Sequence, residues 1–296
     1  MRIVPLEVPV PKRHQYLLGA ISPRPIAFAS TMDKDGNPNL APFSFFNLMG
    51  SNPPIAVFSP ALSGRDKTSK HTLDNILETK EVVINIVNWE MVRQMSLASA
   101  PFAKGVNEFI KSGLTPIPSE LIKPFRVKEC YVQFECKVRD VIRTGGEGAA
   151  GNIVVCEIIL MHIDDFVLDN DGKIDPIKMD YVARMGGNFY NRVIPESIFE
   201  LTQPKDANHI GVDALPEYIR LSKVLTGNNI GQLGTLPALP DETAIKNFLQ
   251  SHNTFIANIS KDEIAIHTAA KQLLHENKVE EAACLLLANK DLRNGD

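Results

Sequence analysis

Val127-Lys-Glu-Cys-Tyr-Val-Gln-Phe-Glu-Cys-Lys-Val-Arg-Asp-Val-Ile142 and Ile153-Val-Val-Cys-Glu-Ile-Ile-Leu-Met-His-Ile163 flank the glycine-rich stretch Gly145-Gly-Glu-Gly-Ala-Ala-Gly151. Two long runs rich in β-branched residues, the second continuing to Val167, read as one long hairpin with a flexible tip. Upstream, residues 26–31, 40–46, 55–59 and 82–87 are further strand candidates. The first two are joined by the turn Asp33-Lys-Asp-Gly36-Asn-Pro38, and Asp169-Asn-Asp-Gly172 marks a later turn. Helical stretches are few. Residues 14–20 stop before Pro23 and Pro25. Residues 69–79 place Leu73, Ile76 and Leu77 on one face, with Thr68 or Ser69 as N-cap. Residues 89–98 turn Val92, Met95 and Leu97 inward. Many strands and few helices in this order predict an antiparallel barrel or sandwich, not an alternating α/β sheet.

The pattern changes near residue 195. Residues 215–225 read as a helix ended by Gly227 as a left-handed C-cap. Asp241 opens another, and Ser260-Lys-Asp-Glu263 reads as a capping box before Ile264, Ile266, Leu273 and Leu274. Residues 279–288 add a leucine-rich helix. Two regions are expected: residues 14–194, mainly β, and a helical extension over 195–296. The Pro- and Gly-containing connection 227–240 argues that the extension lacks a self-contained core and packs on the barrel.

The chain has 296 residues, with 31 Lys and Arg against 35 Asp and Glu, a formal net charge of −4. That balance excludes a general polyanion binder, so no nucleic-acid partner is expected. Hydrophobic content of 44% and charged content of 22% are globular values. No apolar run reaches the roughly 18 residues of a membrane span, and the proline-containing start does not read as a signal peptide. A cytoplasmic location is expected. Cys130 and Cys136 share a strand face with Val132 and Phe134, Cys156 lies in an apolar run and Cys284 in a helical one. All four read as core hydrophobes. Neither a Cys-x-x-Cys nor a zinc-like spacing occurs, so no metal site is expected.

The loop Pro60-Ala-Leu-Ser-Gly-Arg65-Asp-Lys67-Thr68-Ser69 leaves an apolar strand and enters a helix. Arg65, Lys67, Thr68 and Ser69 there meet unpaired N–H groups at a positive dipole end, the chemistry of a phosphate monoester site or of a solvated helix cap. Asn39-Leu-Ala-Pro42-Phe-Ser44-Phe-Phe-Asn47 offers stacking surface beside directional hydrogen bonds, or aromatic core filling. Arg24 sits between Pro23 and Pro25, which stiffen its backbone.

Ser22-Pro-Arg-Pro-Ile-Ala-Phe-Ala-Ser-Thr31, Ala41-Pro-Phe-Ser-Phe-Phe-Asn47 with Pro53-Pro54, Gly105-Val-Asn-Glu-Phe109, Gly113-Leu114 and Ala183-Arg-Met-Gly-Gly-Asn-Phe-Tyr190 follow in order. Over residues 14–192 the chain resembles the flavin reductase-like proteins of the FMN-binding split-barrel superfamily, nearest the flavoredoxin-like branch. The resemblance implies a six-stranded antiparallel split β-barrel and a non-covalently bound FMN at a homodimer interface. It places the phosphate on Arg65, Lys67, Thr68 and Ser69. The isoalloxazine would lie along Ala41, Ser44, Phe45, Phe46 and Asn47 with Ser59, and Arg24 and Arg184 nearby. An FMN-dependent oxidoreductase is implied, with NAD(P)H or a small redox protein as electron donor. Many NAD(P)H-dependent members carry a histidine before a late strand. Residues 144–151 have none, which favours the alternative of a non-enzymatic FMN-binding or storage protein. Lone His162 reads as structural, and no Gly-x-Gly-x-x-Gly supports a Rossmann site.

Overall fold

A computed structural model describes residues 1–201, 203–204, 207–260 and 262–288. The chain divides into two compact units, Met1–Phe199 and Glu200–Asp296.

In the first unit, β1 (Ala27–Met32), β2 (Pro38–Phe43), β3 (Phe46–Ser51), β4 (Pro54–Phe58), β5 (Glu81–Ile86), β8 (Val132–Arg143) and β9 (Asn152–Ile163) form one sheet. Two-residue strands β6 (Pro116–Ile117) and β7 (Arg126–Val127) pair separately, as do β10 (Val182–Arg184) and β11 (Tyr190–Arg192). Strand order in the main sheet is β2-β1-β5-β8-β9-β4-β3, every pairing antiparallel. Seven strands stand where six are expected. The aromatic stretch 40–46, read from sequence as one strand, breaks at Ser44-Phe45 and supplies both β2 and the start of β3. Among the described residues no pairing joins β2 to β3, so the hydrogen-bonded ladder is open rather than closed.

Alternation along β1 builds two cores, because successive side chains leave opposite faces of a strand. Ala27 and Ala29 join Ala56, Phe58, Val82, Ile84, Cys136, Val154 and Cys156 on one face. Helix α1 (Val10–Ala20) precedes the sheet, and Leu73 and Ile76 of helix α2 (His71–Thr79) complete this core. Phe28 and Leu40 join Met91, Met95 and Phe109 in the other. Leu77, expected on the inner face of α2, is 36% exposed, and Leu97 in the helix Val92–Leu97 is 50% exposed. Register shifts at Glu135/Cys136 and Val138/Asp140 interrupt the long hairpin. Cys130 precedes β8 and lies outside the strand, so Cys130 and Cys136 fall into different cores instead of sharing one face. All four cysteines are free and buried, and burial pushes the Cys156 thiol up to about 12. At the far end of the hairpin, buried Glu135 accepts the Glu120 and Leu121 N–H groups at 2.8 and 2.7 Å and pairs with His162 Nε2 at 2.8 Å. His162 thereby has a structural role.

The two edges of the sheet differ. On β2 the outward positions are Pro38, Leu40 and Pro42. Two lack an N–H, and the third donates to Glu108 Oε2 at 3.1 Å. This edge is closed to further pairing. Strand β3 at the other edge exposes Leu48 at 56% and Met49 at 59%.

The second unit has its own core, against expectation. Leu215, Ile219, Leu225, Leu233, Phe248, Ile266, Leu273, Leu274 and Leu285 are buried together, all within residues 215–285. Gly227 does not cap a preceding helix. It opens the helix Gly227–Gly234, whose N-cap is Thr226. Similarly, Asp262 rather than Ser260 caps the helix Glu263–His275, by accepting from the Ala265 N–H, and Ile264 is 69% exposed. Lys261 lies outside the described residues. Asp241 caps its helix as expected. Because Leu285 is fully buried, Leu285→Ala is expected to destabilise this unit by about 2–5 kcal/mol in chemical denaturation, as large-to-small core changes do. A loss below about 0.5 kcal/mol would mean that the helical core is not packed as described.

Candidate functional site at the start of helix α2

Helix α2 begins without a side-chain cap: its N-cap residue is Lys70, which offers no acceptor. The two hydroxyls expected to cap it are engaged elsewhere. Thr68 Oγ1 donates to Asp66 Oδ1 at 2.7 Å, and Ser69 Oγ donates to the Lys70 carbonyl at 3.4 Å. Donation from Ser63 and Thr68 holds the Asp66 carboxyl at about 2. The first N–H groups of α2, at His71 and Thr72, therefore carry the positive end of the helix dipole with no capping side chain.

Both residues line a cavity of about 220 Å³ together with Asn39, Ala41, Pro42, Phe43, Thr68, Ser69, Lys70, residues 98–102 and Glu108. The cavity runs along the blunted edge of β2. Its floor is a buried polar network: Asn39 Nδ2 donates to Thr72 Oγ1 at 2.8 Å and to Thr31 Oγ1 at 3.3 Å, and Asn75 Nδ2 to Thr31 Oγ1 at 3.1 Å. Burial raises the Glu108 carboxyl above its ordinary value, opposed by the Leu40 N–H bond and by the nearby His71.

The structure brings Ala41, Thr68 and Ser69 into this one cavity. Other residues singled out from sequence form a second cluster at the β2–β3 junction. Arg24, 5% exposed, donates to the carbonyls of Leu18 at 2.7 Å, Met185 at 3.0 Å and Ile21. Its Nε reaches Ser44 Oγ at 3.5 Å. Its backbone bridges that of Arg184, whose guanidinium stacks on Tyr190, 4.5 Å from the ring centroid. Burial first, then Arg184, lower the Arg24 pKa, and the Arg24 guanidinium pins the end of the helix Val10–Ala20 to the start of the sheet. Phe45 is exposed and meets His14 edge-on, Phe46 is half-buried against the core, and Asn47 is exposed. Ser59 Oγ accepts the Asn152 N–H at 2.9 Å.

Arg65 and Lys67 stand outside the cavity lining. Arg65 is exposed. Lys67 has a left-handed backbone (φ 61°) and pairs with Glu147 at 2.6 Å. Sequence reading missed Lys70 and Glu108 as cavity residues, and named Asn39 only as the start of the aromatic stretch. For Glu108 a signal existed, since Pro38 and Pro42 leave Leu40 as the lone outward donor of a strand edge. Among the described residues, no group of three or more His, Cys, Asp or Glu could hold a metal, and no helix is long and apolar enough to cross a membrane.

An uncapped helix start beside a cavity and an aromatic strand is a geometry suited to the anionic end of a ligand. Residues 19–178 match the model of the flavin reductase like domain, and the chain belongs to that family. Its fold is the split-barrel fold of flavin reductases. An uncharacterized protein of Aquifex aeolicus is 38% identical over 184 residues, 62% of this chain and 91% of that one. Nitrilotriacetate monooxygenase component B from Bacillus cereus is 28% identical with a TM-score of 0.63, covering 68% of this chain and 98% of that one. Flavoredoxin of Desulfovibrio vulgaris is 26% identical with a TM-score of 0.51, covering 63% and 93%.

The Glu108 environment gives a pH test. A carboxyl whose folded value is raised stabilises the fold fully below its unfolded value of 4.5, and that contribution is lost as pH rises through the folded value. Wild type is therefore expected to lose stability relative to Glu108→Gln as pH is raised from 4 to 7, read by denaturant midpoints. A constant gap would show that burial does not penalise the ionised form.

Proposed function

We propose that the protein binds FMN with its phosphate at the start of α2 and carries electrons through it as a flavin reductase or flavoredoxin-like oxidoreductase. The observation that carries this reading is the uncapped α2 terminus opening, with Thr68 and Ser69, onto a cavity that Ala41 and Phe43 also line. Charge-assisted N–H donation to a phosphate at a helix end is a strong, desolvated interaction. At about 220 Å³ the cavity is smaller than the roughly 300–1,000 Å³ of a site that encloses a whole drug-sized ligand. It suits the phosphate and adjoining polyol, leaving the ring to lie along Ser44, Phe45, Phe46 and Asn47. When bound, the flavin supplies the redox chemistry, and the protein's task is to bind, orient and exclude water. Arg24 and Arg184 add positive charge at the ring end and favour an electron-rich bound ring.

The ring's second wall is assigned to a second copy of the chain. Exposed Phe45 and the exposed Leu48 and Met49 on the β3 edge support an isologous homodimer whose two sites are equivalent. NAD(P)H or a small redox protein serves as donor. The full-length protein is expected to purify yellow, to release FMN rather than FAD on extraction, and to lose its flavin absorbance when mixed anaerobically with NADH, NADPH or reduced ferredoxin. Extracted FAD would overturn the phosphate assignment. Bound FMN that stays oxidised with all three donors would replace the electron carrier with a storage protein.

A further inference from the structure

The tip of the long hairpin clasps the phosphate loop. Leu62 N–H donates to the Ala150 carbonyl at 2.9 Å, and Ala149 N–H donates to the Leu62 carbonyl at 3.1 Å. A Cβ on Gly148 would meet the Ser63 carbonyl oxygen at 3.2 Å and Gly64 Cα at 3.3 Å, so a side chain there would push the two backbones apart by a few tenths of an ångström. Asn152, just past the tip, donates its Nδ2 to the Pro60 carbonyl at 2.9 Å. This clasp delivers one charge to the loop: Glu147 Oε2 lies 2.6 Å from Lys67 Nζ. Lys67 is held from the other side by its own turn, with its N–H donating to the Ser63 carbonyl at 3.0 Å and Ser63 N–H donating to the Thr68 carbonyl at 2.9 Å. The cation that precedes the cavity residues Thr68 and Ser69 is thus already paired with a carboxylate from the chain itself.

We propose that Glu147 is a specificity-determining residue of the flavin site, an internal anion that competes with the ligand's phosphate for Lys67. The inference rests on the phosphate reading given above. Lys67 stands outside the cavity lining while it is paired with Glu147. A phosphate arriving at the α2 terminus offers it a denser charge than one carboxylate, and its flexible side chain leaves Glu147 and turns to the ligand. A flavin without phosphate gains nothing from that exchange. Glu147 therefore lowers affinity for FMN alone and makes FMN easier to release. Both partners are largely solvated, with side chains 58% and 83% exposed, so the competition is modest.

The test is fluorescence titration of the full-length protein, stripped of flavin, with FMN and with riboflavin. Four forms are compared: wild type, Glu147→Gln, Lys67→Met and the double variant. Glu147→Gln is expected to tighten FMN about twofold to fivefold, the range of an exposed ion pair, and to leave riboflavin unchanged. In the Lys67→Met background the Glu147 change should have no effect on FMN. Wild type that prefers FMN over riboflavin while Glu147→Gln leaves FMN unchanged would overturn the inference and spare the phosphate reading. Equal tightening of both ligands would also overturn it, by pointing to loop packing instead of charge. Equal affinity of wild type for both ligands would bring down the phosphate reading and the inference together.

Discussion

Burial of Leu73 and Ile76 in the core beneath β1 and β5 fixes where helix α2 lies and where it starts. The start is left without a capping side chain because Thr68 and Ser69 bond within their own turn. A helix end that keeps its first N–H groups unspent, beside a cavity, costs stability unless water or a ligand takes them. The rest of the first unit is arranged around that terminus. Strand β2 forms one wall, and Glu108 closes the edge of that strand. The hairpin tip holds the loop that leads into the helix.

Charge around the terminus is mixed. Lys67, Lys70 and Arg65 supply cations, while Asp66, Glu147 and Glu108 supply carboxyls. Each carboxyl has a structural task. Asp66 orders the turn, Glu108 closes the strand edge and Glu147 joins the hairpin tip to the loop. This balance suits a ligand that binds through directed N–H groups and one displaceable cation better than one held by a basic cluster.

Much of the first unit is legible in the sequence because its strands are long, β-branched and bounded by turns with Gly and Asp. Asp33 Oδ1 accepts the Asp35 and Asn37 N–H groups at 3.0 and 2.8 Å, and Gly36 takes φ +88°, as that turn requires. The break at Ser44-Phe45 is not legible, since an aromatic run reads as one strand until two different partners, β1 and β4, claim its halves. For the site, the loop and the aromatic strand are legible as types of residue. The use of the Thr68 hydroxyl is not, because it depends on Asp66 two positions earlier outcompeting the helix end. Nor is the Lys67–Glu147 pair, whose members lie 80 positions apart and meet only through the sheet. The self-contained helical core was obscured by a Gly- and Pro-containing connection that itself folds into the helix Gly227–Gly234.

The central claim is that the α2 terminus receives the ligand's phosphate. Backbone amide shifts of His71 and Thr72 in isotopically labelled full-length protein test it most directly. FMN should move both amides strongly downfield, as charge-assisted donation to phosphate does, and riboflavin should leave them near their free positions. Amides that stay in place with FMN, or move equally with both flavins, would contradict the account.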